Sequence, residues 1–578
     1  MLSDMFKSNI ELDTYEKNIW EMLTIRATRF PERIAIQERI NNVYQKTTWK
    51  DLYLQIQQIA SGLISLDIKK GDKIAVLSHD CMEILALELA CMSIGAIYVP
   101  IYFGYYPKQI EYMLIHSDPK YVITYDDTIL ANVLSTMATG RIKKYFLINY
   151  NDKYLESSWI FNFNILYKHN FDLGILLERV ENVEPDDICL ILHTSGGTTG
   201  ISKGVEITHR NILGQQKAIQ QVLDINEKDV LLSYFSWHHS QGIVEKFISV
   251  YSGGCLTLDP SPGFSPETFA DNLREIKPTI CFGDAKIFHE LIHETKKSKN
   301  LEQAFFHEHL KFVFSGSEPS NHIIDYFIEK NTPLIQGWGL TETLQYVTIS
   351  PLNEWKANTS GFPIPGIEIK LVGENSEIYV RGVNVINSYY KDEERNQESF
   401  TDDHWFKTGD SGLITENGLK ILGRINSLFY LSTGKKVFAS KIDYLIESSS
   451  IYISSCVVFG QNKEFVGALI FPNVPNIMKW YKEKNGYSIP LIDLLDEPEV
   501  IKLYRNKIRK TNEKNFKNTN GIKYFTLLED EPSIKNGELT SSLTIIRKQV
   551  LENYKYLTKV FYLEDGFFPE LKSRIIEV

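Results

Sequence analysis

From Lys73 to Gly339 the chain alternates short apolar runs with amphipathic stretches of helical period. "KIAVLS" is followed by a helical run over 81–94, then "AIYVPI", helical "PKQIEYMLIHS" and "KYVITY". The alternation resumes with "VLLSYFS", helical "GIVEKFISVY", "CLTL", helical "PETFADNLREI", "TICFG", helical "AKIFHELIHETKK", "KFVFSG", helical "NHIIDYFIEK" and "PLIQGWG". Runs too short to be helices, bounded by helical periods, predict parallel strands covered on both faces, so the expected class is α/β with wound sheets. After residue 345 the pattern turns β-rich ("IEIKLV", "EIYVRG", "LKILG", "LFYLS"). The last part reads as a smaller α+β unit starting near "GRINS". With 578 residues the chain is too long for one core.

The net charge of −11 disfavours a nucleic-acid partner. Six well-separated cysteines without a C-x-x-C fit free thiols in a reducing compartment, so a cytoplasmic protein is expected. The charged N-terminus lacks the apolar core of a secretion signal. The uncharged run Leu89–Tyr106 is interrupted by Gly95 and Pro100, and is read as a buried helix and strand rather than a membrane span.

"LHTSGGTTGISKGVEITHRN", 192–211, cannot bury a side-chain core. It exposes backbone N–H groups and hydroxyls, which an anion satisfies best. It is not a Walker loop, because no G-x-x-x-x-G-K-[ST] can be read in it. It follows the strand "DICLILH" and is expected to lead into the helix "HRNILGQQKAIQQVL", an arrangement suited to gripping phosphate, with Lys203 adding a point charge. An ordinary strand-to-helix loop is the alternative. "QGWGLTET" places a flat ring, Trp338, four residues before the carboxylate of Glu342: a purine can stack on the first, and the second can reach a Mg²⁺ shared with phosphates. "FKTGDSG" is expected to hold Asp410 in a turn, where it can accept ribose hydroxyls, and "LGRINS" supplies Arg424.

These motifs, in this order, resemble the adenylate-forming enzymes: acyl-CoA synthetases, peptide-synthetase adenylation domains and beetle luciferases. The loop is similar to the family's T-S-G-T-T-G-x-P-K-G, "WGLTET" to Y-G-x-T-E and "KTGD" to R-T-G-D. The likeness spans roughly residues 20 to 560. "NGELTSSLTIIRK" occupies the tail N-G-x-L-T-P-T-L-K-x-K-R of the long-chain fatty acyl-CoA synthetases, the nearest group. The resemblance implies a large N-terminal AMP-binding domain, 1–424, of two wound sheets plus a small barrel-like part. It also implies a mobile C-terminal lid, 425–578, hinged near Asn426. The implied reaction activates a fatty acid, long-chain by this likeness, with ATP and Mg²⁺ to an acyl-adenylate and transfers the acyl group to CoA. Membrane contact would come only through a lipid substrate. By the same carry-over Thr194, Ser195, Gly196, Gly197, Thr198, Thr199, Gly200 and Lys203 would cradle the β and γ phosphates. Thr341 and Glu342 would serve the α-phosphate and the metal. Trp338 and Gly316 would flank adenine, Asp410 and Arg424 would hold the ribose, and His239 would lie beside the reacting carboxylate.

Several positions depart from the family pattern. The loop carries an extra glycine, Ser202 stands for proline, Asp284 for an apolar residue, and Asn426 for an acid or lysine. Most consequential, the tail lysine falls on Thr544. A missing preorganised cation typically costs about 10²–10³ in rate, so the second expectation is a nucleotide- or adenylate-binding protein with weakened or lost ligase activity. Lys548, if helical, and Lys535 are the substitutes within reach of that segment. Bulky Trp237 and His238 are expected to narrow the acid's entrance. "HELIH", 289–293, matches H-E-x-x-H of zinc proteases, a rival reading that needs a third ligand.

Overall fold

A computed structural model describes residues 5–41, 43–168, 172–194, 202–233, 235–258, 266–316, 319–352, 359–516, 521–540, 544–563 and 573–578; the strands counted below are among these. One seven-stranded sheet runs in the order Lys203–Thr208, Ile188–Thr194, Ile97–Pro100, Lys73–Leu77, Tyr121–Thr124, Lys144–Leu147, Ile160–Asn162. All its pairings are parallel except the first, an antiparallel hairpin. A nine-stranded sheet has a parallel centre built from Val230–Ser233, Cys255–Leu258, Ile280–Gly283, Phe312–Ser315 and Leu334–Trp338. These strands are apolar almost throughout because helices cover both faces. A five-stranded antiparallel sheet, built mostly from residues 367–424, is the barrel-like part.

The elements that frame the cleft are, in chain order, α1 (Met82–Ser93), β1 (Ile188–Thr194), β2 (Lys203–Thr208), α2 (His209–Leu223), α3 (Ser240–Ser252), α4 (Ala285–Lys297), β3 (Phe312–Ser315), β4 (Leu334–Trp338), β5 (Phe406–Thr415), β6 (Gly418–Arg424), α5 (Ala439–Glu447) and α6 (Arg547–Asn553). Two expectations need correction. The glycine-rich stretch does not lead straight into a helix: β2 intervenes, with Lys203 paired to Thr194. The run "KGVEIT" is short, with β-branched Val205, Ile207 and Thr208 at every second or adjacent position, which suits a strand. Asp410 is not in a turn but inside β5, in register with Arg424 of β6.

Leu89–Tyr106 forms the end of α1 and the buried strand Ile97–Pro100, and among the described residues no helix is long and apolar enough to cross a membrane. The six cysteines are free, and all but Cys255 are buried. Asp284 caps α4, its Oδ1 accepting from Ile287 N–H at 2.8 Å, which explains an acid at that position. Residues 431–527 bury a core of their own, including Ile442, Ile470 and Phe525, separate from the main one. We place the domain boundary at the short turn Ile425–Ser427, just before it.

Candidate functional site

The cleft lies at the C-terminal ends of β3 and β4, where an open parallel sheet presents its loops. A cavity of about 220 Å³ is lined there by Gly316, Gln336, Trp338, Gln345, Tyr346 and Tyr444, the last carried by α5. Trp338, at the end of β4, donates its indole N–H to Asp410 Oδ2 at 3.0 Å. Arg424 Nε lies 3.0 Å from Asp410 Oδ1 and its guanidinium also donates to Thr408 O. Asp410 is buried, which pushes its carboxyl above the usual range, while Arg424 and then Trp338 pull it back. Each oxygen has one donor, and a carboxylate retains acceptor capacity for two hydroxyls.

The turn after β4 is a short 3-10 helix, Thr341–Thr343, followed by Leu344 and Gln345 at φ of 48° and 72°. Left-handed backbone at two non-glycine residues costs of order 1–3 kcal/mol each. Buried amides hold it. Gln215 of α2 donates to Leu344 O at 2.6 Å, and Asn384 donates to Thr343 O at 2.6 Å and Tyr346 O at 2.8 Å. Glu342 is half-buried, and Tyr389 donates its hydroxyl to Oε1 at 2.8 Å. Lys203 Nζ sits 5.2 Å from the Tyr389 ring centroid. Burial lowers its pKa, opposed by Glu342 and reinforced by Arg395 and Arg424. Lys203 therefore senses both Glu342 and Arg424 electrostatically across the cleft.

His239 is the N-cap of α3, its Nδ1 accepting from Gln241 N–H at 3.2 Å. The ring is open to the cleft, yet enough protein crowds it that desolvation lowers its pKa. A neutral ring with Nδ1 as acceptor carries its proton on Nε2, a donor a carboxylate can use. Ser240 links the two sides: its hydroxyl is 3.1 Å from Thr341 Oγ1 and accepts from Gln345 Nε2. Thr194 stands half-buried at the end of β1. Ser195, Gly196, Gly197, Thr198, Thr199 and Gly200 lie outside the described residues. Gly316 is exposed at the end of β3, where an added Cβ would sit 3.3 Å from Gln241 Oε1.

Trp237 is not at the entrance: it is 1% exposed, with its backbone N–H on Asp80. His238 stacks on Tyr102 at 4.5 Å. Thr544 is exposed; its carbonyl accepts from Thr540 N–H at 2.8 Å and its N–H donates to Thr540 Oγ1 at 3.1 Å. Lys548 is exposed within α6, whose Arg547 pairs with Asp443, the neighbour of Tyr444. Lys535 is exposed in the turn before Gly537. His289 and His293 lie on α4 facing the C-terminal unit, and among the described residues no three side chains group as metal ligands. Sequence reasoning missed Gln215, Asn384, Tyr389, Arg395 and Gln345. A glutamine on the apolar face of α2 was the one available signal.

A buried acid locked between an indole and a guanidinium, beside a strained acidic turn and a desolvated lysine, is the chemistry of a nucleotide-handling cleft. The family described as AMP-binding enzyme matches residues 23–390, and its C-terminal domain matches 426–565. This chain belongs to that family, the AMP-binding, adenylate-forming enzymes. A long-chain-fatty-acid–CoA ligase of Mycobacterium tuberculosis, FadD15, is 24% identical over 91% of this chain and 93% of its own. Long-chain-fatty-acid–CoA ligase 6 of Mus musculus is 25% identical, covering 90% of this chain and 83% of its own. Among solved structures, the anthranilate CoA ligase AuaEII with anthranoyl-AMP has a TM-score of 0.75 at 18% identity, covering 95% of this chain and 99% of its own. O-succinylbenzoate CoA synthetase of Bacillus subtilis with ATP and magnesium has a TM-score of 0.68 at 21% identity, covering 93% and 99%.

Proposed function

We propose that the chain activates a fatty acid with ATP and passes the acyl group to CoA. A carboxylate oxygen attacks the α-phosphorus, the bond to the bridging oxygen breaks and pyrophosphate leaves. The thiolate of CoA then attacks the acyl carbon and AMP departs. Such chemistry needs reactants held in line and leaving charge neutralised rather than a protein nucleophile.

Asp410 and Arg424 would hold the ribose, with Trp338 and Gly316 on either side of the base. Lys203 and Thr194 would face the leaving phosphates, together with Ser195, Gly196, Gly197, Thr198, Thr199 and Gly200. Thr341 would serve the α-phosphate and His239 Nε2–H would orient the acid. Glu342 suits Mg²⁺, since Tyr389 occupies one acceptor site of a group that has several; the ion supplies charge neutralisation to the phosphates. The single observation that carries this reading is the Trp338–Asp410–Arg424 lock beside Lys203 and Glu342. The names of the relatives support a fatty acid as substrate and CoA as acceptor.

The test is pyrophosphate release across a panel of acids, with and without CoA, with products identified by mass spectrometry. Acyl-AMP without CoA and acyl-CoA with it are expected. Neither product from any acid, together with no ATP binding, overturns the reading. ATP binding without either product instead favours the second reading, a nucleotide-binding homologue with weakened adenylation. That reading is favoured by the neutral side chain at Thr544.

A further inference from the structure

We propose that Gln241 and Tyr346 form the end wall of the acid pocket and restrict the substrate to a short-chain acid. This rests on the ligase reading above and narrows it. The reacting carboxylate must lie where the turn bearing Thr341 and Glu342 meets His239, and the Thr341–Ser240 contact marks that place. The outward side is the nucleotide's cleft. The rest of the acid must therefore run inward, between the first turn of α3 and the ends of β3 and β4.

That inward route is closed by a polar lattice. Gln241, 5% exposed, makes two hydrogen bonds to the Tyr346 hydroxyl, donating through Nε2 at 2.8 Å and accepting through Oε1 at 3.1 Å. Gln241 abuts Gly316, and Tyr346 abuts Gly337, where an added Cβ would meet its ring at 2.8 Å. Both glycines and Tyr346 itself line the 220 Å³ cavity beside Trp338, so the pair borders the base's cavity on the side facing α3. Behind Tyr346 the space is filled by Phe314, with ring centroids 4.6 Å apart. Glu245, fully buried one turn further along α3, has its carboxyl pushed well up by burial, with the Phe235 backbone N–H opposing that shift.

A long alkyl chain driven through this region would have to part the Gln241–Tyr346 pair and lie against a buried carboxyl. Each polar group so stranded opposes the gain from burying methylenes. A tunnel for a long-chain acid needs apolar lining, and here the lining is an amide, a phenol and an acid.

The test uses the full chain and a series of N-acylsulfamoyl adenosines, unreactive mimics of acyl-adenylates, from acetyl to palmitoyl, with affinity read by calorimetry. Binding does not depend on whether adenylation survives at Thr544. Each methylene that fits should tighten binding about fourfold, and the series should turn downward at a short chain. Gln241→Ala should move that turning point to longer chains, with at least a tenfold gain for the first analogue beyond it. Tyr346→Phe, which removes the pair's hydroxyl but keeps the ring's volume, should move the turning point in the same direction by a smaller amount. Thermal unfolding checks that both variants fold. Affinity that keeps rising through palmitoyl in the unmodified protein overturns the wall while leaving the adenylate cleft intact. A short-chain limit that Gln241→Ala does not move shows that Gln241 is not the wall. No binding by any analogue removes both the wall and the ligase reading on which it rests.

Discussion

Asp410 is a buried carboxylate whose oxygens are each claimed by a different donor, so its charge depends on both neighbours. Asp410→Asn should raise the KM for ATP about 10- to 100-fold, the worth of a charge-assisted hydrogen bond, with a smaller effect on the KM for the acid. The pH dependence has a definite sign. Burial raises this pKa, so the ionised form is lost on acidification earlier than for an ordinary aspartate, and kcat/KM for ATP should fall on the acid side. Arg424 is the larger of the influences holding the pKa down, so Arg424→Gln should move that acid limb to higher pH; an unmoved limb would show that Asp410 does not control it. Thr544→Lys is the second prediction at this scale. Restoring a cation in the tail should raise ATP–pyrophosphate exchange about 10²–10³-fold, and no gain would mean that adenylation here does not use that position. Asp410, Arg424, Glu342 and Lys203 could be singled out in the sequence because each is a charged group inside a recognisable motif, and the structure brings them to one cleft. Tyr389, Gln215 and Asn384 could not, because they act by holding another side chain or a carbonyl, and nothing in their local sequence announces such a partner.

At the scale of elements, parallel strands and their helices could be read from period and length, since both faces of each strand are buried and the signal is an uninterrupted apolar run. β2 was hidden by its neighbour. A short strand with charged residues on both faces beside a glycine-rich loop reads as more loop, and only its pairing with β1 distinguishes it. Asp410's strand was hidden similarly, because "KTGDSG" carries turn residues. Gly409 takes φ of 72° there, and the register slips between Ser411 and Gly412. Backbone demands of this kind can be tested at Gly361, which adopts φ of 79° between the strand Thr348–Ile349 and the barrel-like sheet. An added Cβ would lie 2.2 Å from the Ile349 carbonyl, and Gly418 of β6 packs against Gly361 from the other side. Gly361→Ala combines left-handed backbone with a clash against main chain and should destabilise the protein by about 3 kcal/mol. Urea unfolding measures it, and a loss under 1 kcal/mol would mean that the junction relaxes freely.

At the scale of the whole molecule, the two wound sheets meet around charges rather than around hydrocarbon alone. Lys246 of α3 is ion-paired with Glu88 of α1, both fully buried, and the ammonium lies 4.7 Å from the Trp237 ring centroid. Burial lowers the Lys246 pKa and raises that of Glu88, so on each side desolvation outweighs attraction and the pair is a fragile contact. It is tied to the cleft, because the backbone N–H of Trp237, two residues before His239, rests on Asp80. Lys246→Met strands Glu88 and should cost about 3–5 kcal/mol, while Lys246→Met with Glu88→Leu should recover most of that loss. Asp80 adds a pH signature. Burial raises its carboxyl from 3.8 to about 7, with the Trp237 backbone N–H and then the Lys246 ammonium holding it back. Between those values the folded chain keeps a proton that the unfolded chain has released, so stability must fall as pH rises across that window and level off above it. Asp80→Asn should reduce this slope in unfolding curves taken from acid to neutral pH, the remainder coming from Glu245 and Glu88, whose carboxyls burial also raises. Lys246→Met with Glu88→Leu removes both of the neighbouring charges, the cation that lowers Asp80 and the weaker anion that raises it. That double variant should therefore extend the slope to higher pH. A slope identical in all three proteins would show that Asp80 titrates independently of the core pair, and would sever the link from the molecule's interior to the turn that presents His239.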